Sequence, residues 1–399
     1  MTEKSRVLIF TSSYVPVVGG LQTVTHNLAK QLLRRGHDVH VVTNRYPIAL
    51  PPRETTDRVM VDRVLLLPAS IDYLKRKRPD LFLASLYYGP KSHWRLTNIF
   101  NEFKPDVVNV HFPDGQIDAV LSLRKRFDFR LVVSLHGDDV ERFTNDPREN
   151  GSRGNLPEFQ AILRTADVVT AVSRDLLDKA LQIEPAIAGK SHVIYNGIDF
   201  KRFAERACYE HPRSYLLAAG RLVYKKGFDL LIDAYARCPS NNRSDLIIAG
   251  GGEEREALER QVERLGLRGK VYFFGQASPD EVVKLMNGSL GVVVPSRQEP
   301  FGIVALEALA AGRPVLATKT GGLQEVLTDL SNDCRSNGQA SGPANRRVTL
   351  VEPTAEGIRS GLLEMFEDGS CAQENGGIPE KYGWPQVARR YEELLLTHQ

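Results

Sequence analysis

Short runs of valine, isoleucine and leucine recur along this chain, separated by longer stretches with apolar residues on one helical face. Runs that are apolar at nearly every position fit strands covered by helices on both sides, so the pattern predicts βαβ units and parallel sheets. The first series is Val7–Thr11, Val39–Thr43, Val59–Leu67, Val107–Val110, Leu131–Leu135, Val168–Val172 and Val193–Tyr195. A second begins at Tyr215–Ala219 and continues with Leu246–Ala249, Val271–Phe274, Val292–Val294, Val315–Thr318 and Val348–Val351. The turn-rich Asn196-Gly197-Ile198-Asp199 and the polar residues up to Pro212 separate the two. A chain of 399 residues exceeds one ordinary core and suits two domains of about 150–200 residues. The expected architecture is α/β, with two doubly wound, Rossmann-like domains facing a central cleft at the carboxyl ends of both sheets. Thr328–Arg347 breaks the pattern: rich in Ser, Asn, Gly and Pro, it predicts a long loop, mobile or functional.

Composition removes several function classes. Hydrophobic residues at 42% and charged residues at 25% are an ordinary globular mixture. With 52 basic and 49 acidic side chains the net charge is only +3, too little to require nucleic acid. Cys208, Cys238, Cys334 and Cys371 lie far apart with no C-x-x-C, so neither a zinc site nor a disulfide framework is indicated. The short apolar run Val7–Phe10 after Met1–Arg6 is no signal peptide, and no apolar stretch is long enough to span a bilayer. A reduced, cytoplasmic protein is the expectation.

The first strand-to-helix turn, Thr11 to Gly20, leads into a helix with Val24, Leu28 and Leu32 at i, i+4 and i+8, stopped by Gly36. Gly19-Gly20 at its start lets the backbone approach an anion, which unpaired N–H groups and the helix dipole favour. The same pair also suits a tight turn with no ligand. A dinucleotide enzyme would carry G-x-G-x-x-G here and an acidic residue ending the second strand. That strand instead runs into Asn44-Arg45, and Gly250-Gly251-Gly252 lacks the remaining glycine, so an NAD-type site is the weaker reading.

After Val292–Val294 the chain reads Pro295-Ser296-Arg297-Gln298-Glu299-Pro300-Phe301-Gly302-Ile303 and continues through Glu307 to Gly312. Pro300 predicts a helix beginning near Phe301, with Glu299 in the loop ahead and Glu307 on the second turn. Glu299 can accept hydrogen bonds from sugar hydroxyls and Glu307 from a ribose. Between them the N–H groups of Gly302 and Ile303 face a phosphate. Glutamates on helices more often serve only solubility, but the surrounding Pro, Phe-Gly and Ala-Ala-Gly favour a ligand site.

The segment Glu299–Glu307, two glutamates with seven residues between, resembles the signature of retaining glycosyltransferases of family 4, which have the GT-B fold. The resemblance covers nearly the whole chain. Gly19-Gly20-Leu21-Gln22 through Gly36-His37-Asp38-Val39 is similar to the family's N-terminal glycine loop and helix, with Gln22 where glutamate is more usual. Asn196–Asp199 resembles its interdomain junction, Gly220-Arg221-Leu222-Val223-Tyr224-Lys225-Lys226-Gly227 its phosphate clamp, and Thr320-Gly321-Gly322 its later glycine turn. The Thr328–Arg347 stretch departs from the short turn of most members.

What the resemblance implies is specific. Residues 1–198 would form an acceptor-binding domain, 199–380 a nucleotide-sugar donor-binding domain, and 381–399 a helix returning to the first. A hexose-type sugar would pass from a UDP- or GDP-sugar to a glycan, lipid-linked or small-molecule acceptor, with retention. No protein nucleophile is implied: the leaving phosphate takes the acceptor proton, and Glu299 and Phe301 belong to the donor site. Glu299 orients the sugar, and His136, after the strand Leu131–Leu135, contacts it. From the residues alone, His136 and the neighbouring strand-end His111 are either ligand contacts or structural histidines. Asp138 and Asp139 are acceptor-side carboxylates or a helix cap.

Sugar transfer from a diphosphate needs charge stabilisation on the departing phosphate, from a metal, fixed cations or helix dipoles. No Asp-x-Asp of the metal-dependent transferases occurs. Arg221, Lys226 and backbone donors at Gly20, Gly302 and Ile303 are the alternative supply, so no metal or other cofactor is expected. Leu74-Lys75-Arg76-Lys77-Arg78-Pro79, followed by Leu81, Phe82, Leu83, Leu86, Tyr87, Tyr88 and Trp94, sets four cations beside aromatic and aliphatic groups. That suits peripheral contact with an anionic membrane at its inner face, and a lipid-linked acceptor; the alternative is a solvated basic face beside core positions. Two other readings share the expected cleft: a nucleotide-sugar epimerase or isomerase, and a non-catalytic binding protein. A panel of donors separates them by a new glycoside, an altered free donor, or binding without turnover.

Overall fold

The computed structural model describes residues 4–17, 19–66, 79–144, 155–203, 207–239, 244–336, 348–367 and 378–396. The chain divides into two units, Met1–Tyr195 with Trp384–Gln399, and Asn196–Gly383.

The first unit contains strands Arg6–Thr11 (β1), Asp38–Asn44 (β2), Arg53–Thr56 (β3), Val59–Val64 (β4), Val107–His111 (β5), Arg130–Leu135 (β6), Val168–Ala171 (β7) and Ser191–Val193 (β8). They pair in the order β3-β4-β2-β1-β5-β6-β7-β8, all parallel except β3 against β4. Its helices are Gly20–Arg34 (α1), Pro79–Phe103 (α2), Ile117–Arg124 (α3), Asp138–Glu141 (α4), Leu156–Thr165 (α5) and Arg174–Ile183 (α6). The central β1 is buried from Val7 to Phe10, as an apolar strand covered on both faces must be.

The second unit is one parallel sheet of Tyr215–Ala219 (β9), Asp245–Ala249 (β10), Val271–Gly275 (β11), Gly291–Val294 (β12), Val315–Thr318 (β13) and Val348–Val351 (β14). The order is β11-β10-β9-β12-β13-β14. Helices Phe228–Ala236 (α7), Arg255–Arg264 (α8), Pro279–Gly288 (α9), Ile303–Ala310 (α10), Gly321–Ser336 (α11) and Ala355–Glu367 (α12) connect the strands. The last helix, Trp384–Leu396 (α13), belongs to the first unit. Its Trp384, Val387, Tyr391 and Leu395 are buried, and its Glu392 takes bonds from Arg35, just past α1, and from His37 Nε2 at 2.9 Å.

Several sequence expectations change. Strand β3, Arg-Glu-Thr-Thr, has no apolar run to reveal it; it is an edge strand held through Arg53, whose Nε donates to buried Asp62. β4 ends at Val64, short of Leu67, and β8 lies at Ser191–Val193, ahead of Tyr195. The long loop expected from Thr328 is helical as far as Ser336. Leu323, Val326, Leu327 and Leu330 bury one stripe of α11, which carries the helix through the polar residues. Residues 337–347 lie outside the described part. The chain passes between units at Tyr195/Asn196 and Gly383/Trp384, within three residues of the expected 198 and 380. Ile198 bridges Gly383 and donates its N–H to Tyr382 O at 2.8 Å, which ties both connections into the second unit. Among the described residues no helix is long and apolar enough to cross a membrane.

Candidate active site

In each sheet the connection order reverses at one point, between β1 and β5 in the first and between β9 and β12 in the second. Loops leaving the carboxyl ends of strands on either side of such a point diverge and leave room for a ligand. All the residues singled out for chemistry leave these strands or the β6 that flanks β5.

In the second unit the loop after β9 carries Gly220 to Gly227 and the loop after β12 carries Pro295 to Gly302. Backbone bonds join them: Arg297 and Gln298 N–H both donate to Lys225 O, at 2.8 and 3.2 Å. Gly227 has φ +66, and a Cβ there would lie 2.1 Å from Pro295 O, so only glycine lets the loops close. Arg297 locks them from the side. Its guanidinium makes a two-pronged pair with Asp229 at 2.6 Å for each bond and lies 4.1 Å above the Tyr224 ring.

This clamp brings Lys226 to Glu299. Lys226 Nζ donates to Glu299 Oε2 at 2.5 Å, and Ser296 Oγ donates to the same oxygen at 3.3 Å. Neighbouring Lys225 is half-buried; that burial, with Lys226 beside it, pushes its ammonium down to about 8, and Glu299 pulls it back. Arg221 is exposed on the same loop. The loop is braced by Gly250-Gly251-Gly252, since Gly220 N–H donates to Ala249 O at 2.9 Å and Leu222 N–H to Gly251 O at 2.8 Å.

Gly302 caps α10 at φ +85, a conformation that turns the loop into the helix, and Ile303 is its first residue. No acidic residue lies in that first turn, so the positive helix end is left for an incoming anion. Phe301 is buried, which leaves its backbone as its polar contribution. Leu323, in the first turn of α11, covers Gly302 and donates its N–H to Glu299 O at 3.3 Å. Glu307 follows one turn into α10. Burial pushes its carboxyl up to about 7, and Arg202 partly offsets this.

In the first unit the β1–α1 loop carries Gly19 and Gly20. Buried Arg63 on β4 holds it by donating from Nη2 to Val15 O at 2.7 Å, and Tyr14 OH pairs with His26 Nδ1 on α1 at 2.9 Å. The first turn of α1 also has no acidic residue. His111 ends β5 and His136 follows β6, the next strand. His111 Nδ1 and His136 Nε2 lie 2.9 Å apart with the rings stacked at 5.1 Å. Burial pushes His136 down to about 3 and His111 well below its usual value, so both rings are neutral. Asp139 is buried and accepts the N–H groups of His136 and Gly137, the latter at 2.7 Å. It braces the chain just ahead of α4, whose N-cap is Gly137, and burial raises it to about 6.

Of the residues singled out in the sequence, the structure places Arg221, Lys226, Glu299, Phe301, Gly302, Ile303 and Glu307 on adjoining elements of one unit, and Gly19, Gly20 and His136 in the other. The Arg297–Asp229 clamp, Ser296 and Lys225 were not among them. The basic run Lys75–Arg78 lies outside the described residues, but α2 beyond it presents Leu83, Leu86, Tyr87 and Trp94 to solvent. Among the described residues no three His, Cys, Asp or Glu side chains group as metal ligands.

Comparison with known proteins gives the arrangement its family. The Glycosyltransferase Family 4 model matches residues 18–202, and the Glycosyl transferases group 1 model matches 202–339. An uncharacterized glycosyltransferase of Methanocaldococcus jannaschii is 30% identical over 96% of this chain and 96% of its own. Among solved structures, sucrose-phosphate synthase from Thermosynechococcus elongatus superposes with a TM-score of 0.73 at 21% identity, covering 98% of this chain and 95% of that one. Anabaena HepE in complex with UDP and glucose gives 0.67 at 21% identity, covering 98% and 99%. With both family models placed end to end over the two units, and a full-length relative at this identity, the chain belongs to the family 4 glycosyltransferases of the GT-B fold.

Proposed function

We propose that this transferase moves a hexose-type sugar from a UDP- or GDP-sugar to a glycan, lipid-linked or small-molecule acceptor, with retention and without a metal. The observation that carries the reading is the Lys226–Glu299 pair at the mouth of an acid-free helix end. A leaving diphosphate draws Lys226 Nζ and the N–H groups of Gly302 and Ile303, which stabilise the charge developing as the C1–O bond breaks. Arg221, exposed on the same loop, adds a second fixed cation. Freed from full pairing with Lys226, the Glu299 carboxylate accepts hydrogen bonds from sugar hydroxyls and holds C1 for attack. The acceptor oxygen bonds to C1 on the face the phosphate leaves, and its proton passes to a phosphate oxygen. Gly19 and Gly20, at the start of α1, supply further N–H groups to anionic or hydroxyl oxygens. His136 contacts the transferring sugar. HepE, which holds UDP and glucose, supports a uridine diphosphate sugar as the first donor to try.

The test is transfer from UDP-glucose, GDP-mannose and ADP-glucose, with the product's anomeric proton read by NMR. An α-linked donor is expected to give an α-linked product, at a rate unchanged in EDTA. A β-linked product, or activity lost in EDTA and restored only by Mg²⁺ or Mn²⁺, overturns the corresponding part. An altered free donor without a new glycoside points to the epimerase instead.

For the acceptor we propose a peripheral site on an anionic lipid surface. Leu83, Tyr87 and Trp94, each at least 60% exposed, fall on one face of α2, and Lys91 Nζ lies 3.7 Å over the Tyr87 ring. An apolar and aromatic face with Lys91 beside it suits a headgroup boundary, where each basic residue adds roughly 1 kcal/mol. Co-sedimentation with vesicles of rising phosphatidylglycerol content is expected, weaker in high salt and lost on replacing Leu83, Tyr87 and Trp94 together by Ser. If the wild type stays in the supernatant at every composition, this face is not a membrane site.

A further inference from the structure

The strand order brings an unusual file of polar groups beneath α13. Asn109 and His111 lie two residues apart on β5, as do Ser134 and His136 at the end of β6, so all four project from one face of the sheet. Thr170 on β7 continues the row: its Oγ1 donates to Ser134 Oγ at 2.9 Å, and Ser134 Oγ donates to Asn109 Oδ1 at 2.9 Å. Tyr391 of α13 closes over the row, its hydroxyl bonded to Ser134 and Thr170 and its ring 6.1 Å from that of His111. His111, Asn109, Ser134 and Thr170 are all essentially inaccessible to solvent. A face otherwise filled by valine has no packing need for them.

At the open end of this file the two imidazoles share one proton between His111 Nδ1 and His136 Nε2. Two arrangements satisfy that contact. If His136 Nε2 donates, His111 Nδ1 is the acceptor and His111 must carry its own hydrogen on Nε2. That nitrogen is buried with no partner among the described residues, so the arrangement strands an N–H donor in the interior. If His111 Nδ1 donates, only a lone pair is stranded at Nε2, which is the lesser penalty. His136 Nε2 is then the acceptor, and the hydrogen of the neutral His136 ring sits on Nδ1.

We propose that His111 is a positioning residue that fixes His136 as its Nδ1–H tautomer, so that His136 presents a hydrogen-bond donor to an oxygen of the transferring sugar. This rests on the contact between His136 and the sugar proposed above. In water a neutral histidine prefers the Nε2–H form, so the bond to His111 reverses the default. Burial, which keeps both rings uncharged, holds the choice over the whole working pH range. The role is that of an outer-shell partner: it acts through another residue's orientation and proton.

The experiment uses the full chain with ¹⁵N-labelled histidine, reading ring-nitrogen shifts that differ between tautomers. The His136 signals are identified by their loss in His136→Gln. The wild type is expected to show His136 protonated at Nδ1. In His111→Asn the side-chain amide stands where Nδ1 stood and can still donate, so the tautomer is kept. In His111→Leu the donor is gone, and His136 reverts to Nε2–H. With whichever of UDP-glucose, GDP-mannose and ADP-glucose the wild type consumes, kcat is expected to fall about tenfold or more in His111→Leu with KM for the donor little changed. In His111→Asn it stays within about threefold. Thermal unfolding of both variants guards against a fold defect, and the Asn variant keeps the test decisive if the Leu variant does not fold. A wild-type His136 protonated at Nε2, a tautomer unmoved in His111→Leu, or equal losses of kcat in the two variants overturns the proposal. If His136→Gln turns over like the wild type, the sugar contact itself is wrong, whereas full loss there with no effect in His111→Leu removes only the role of His111.

Discussion

Lys226→Ala is expected to lower kcat by about 10²-fold or more, the usual cost of one electrostatic donor to a developing anion. Two losses combine in it. Lys226 is the partner of Glu299 at 2.5 Å, with both side chains mostly shielded from water. Its removal takes away a cation for the phosphate and leaves the carboxylate to the Ser296 hydroxyl and the nearby Lys225 charge. Glu299→Gln keeps the shape and an acceptor oxygen but loses the charge that holds Lys226 and the strong bonds to sugar hydroxyls. Turnover is expected to drop by a similar factor, while UDP binding measured by calorimetry changes by less than about threefold, because the nucleotide does not need Glu299. The double variant should be little worse than either single one, since the two act as a unit. Fully multiplicative effects would mean that the two residues act independently, and a Glu299→Gln enzyme that loses nucleotide and turnover together would mean that the pair only braces the loop.

Nucleotide affinity is expected to rise with pH through Glu307. Burial holds this carboxyl up at about 7 in the free protein, so near pH 6 it is mostly protonated. Ribose hydroxyls donate to a carboxylate better than to a carboxylic acid, so a bound nucleotide favours the ionised form and releases a proton. The sign follows: binding tightens as pH climbs toward 7, by up to tenfold per unit, and levels off above. Calorimetric titration of UDP, GDP and ADP at about pH 6 and 8, in buffers of different ionisation enthalpy, reads both the affinity and the proton. Glu307→Gln controls for the nucleotide's own phosphate titration and should flatten the remainder. Glu307→Ala should weaken binding about 10- to 100-fold, the worth of charged hydrogen bonds. A proton release unchanged in Glu307→Gln would place the titrating group elsewhere.

How much of this was legible in the chain depends on what kind of signal each part leaves. The central strands announce themselves because strands such as Val7–Phe10 are buried on both faces and must be apolar throughout. β3 leaves no such mark, since Arg-Glu-Thr-Thr at a sheet edge is held by an ion pair. The glycine-bearing turns and Glu299 were legible because close backbone approach and helix entry restrict the residue type locally. The Arg297–Asp229 clamp was not, since its members lie 68 residues apart and meet only once β9 and β12 are neighbours. His111 and His136 were each visible as a strand-end histidine. That they are bonded to one another follows from β5 lying beside β6, a fact of topology and not of spacing. The polar residues after Thr328 hide the helix because the stripe that carries it, Leu323 to Leu330, lies mostly ahead of them.

The bridge between Ile198 and Gly383 has a consequence for how such chains diversify. It places the entry and exit of the second unit side by side, so that unit is one continuous segment inserted into the first, which is made of two. A stop after Tyr195 would not liberate the first unit, because Trp384, Tyr391 and Leu395 would no longer fill its interior and Glu392 would no longer meet Arg35 and His37. The second unit, in contrast, can be lifted out with two cuts, at Tyr195/Asn196 and Gly383/Trp384, and another joined at the same paired ends. Recombination at those two points would exchange Lys226, Glu299 and Glu307 as a set while leaving His111, His136 and the row beneath α13 untouched. Variants would then arise by swapping a cassette, with no need to rebuild either hydrophobic core.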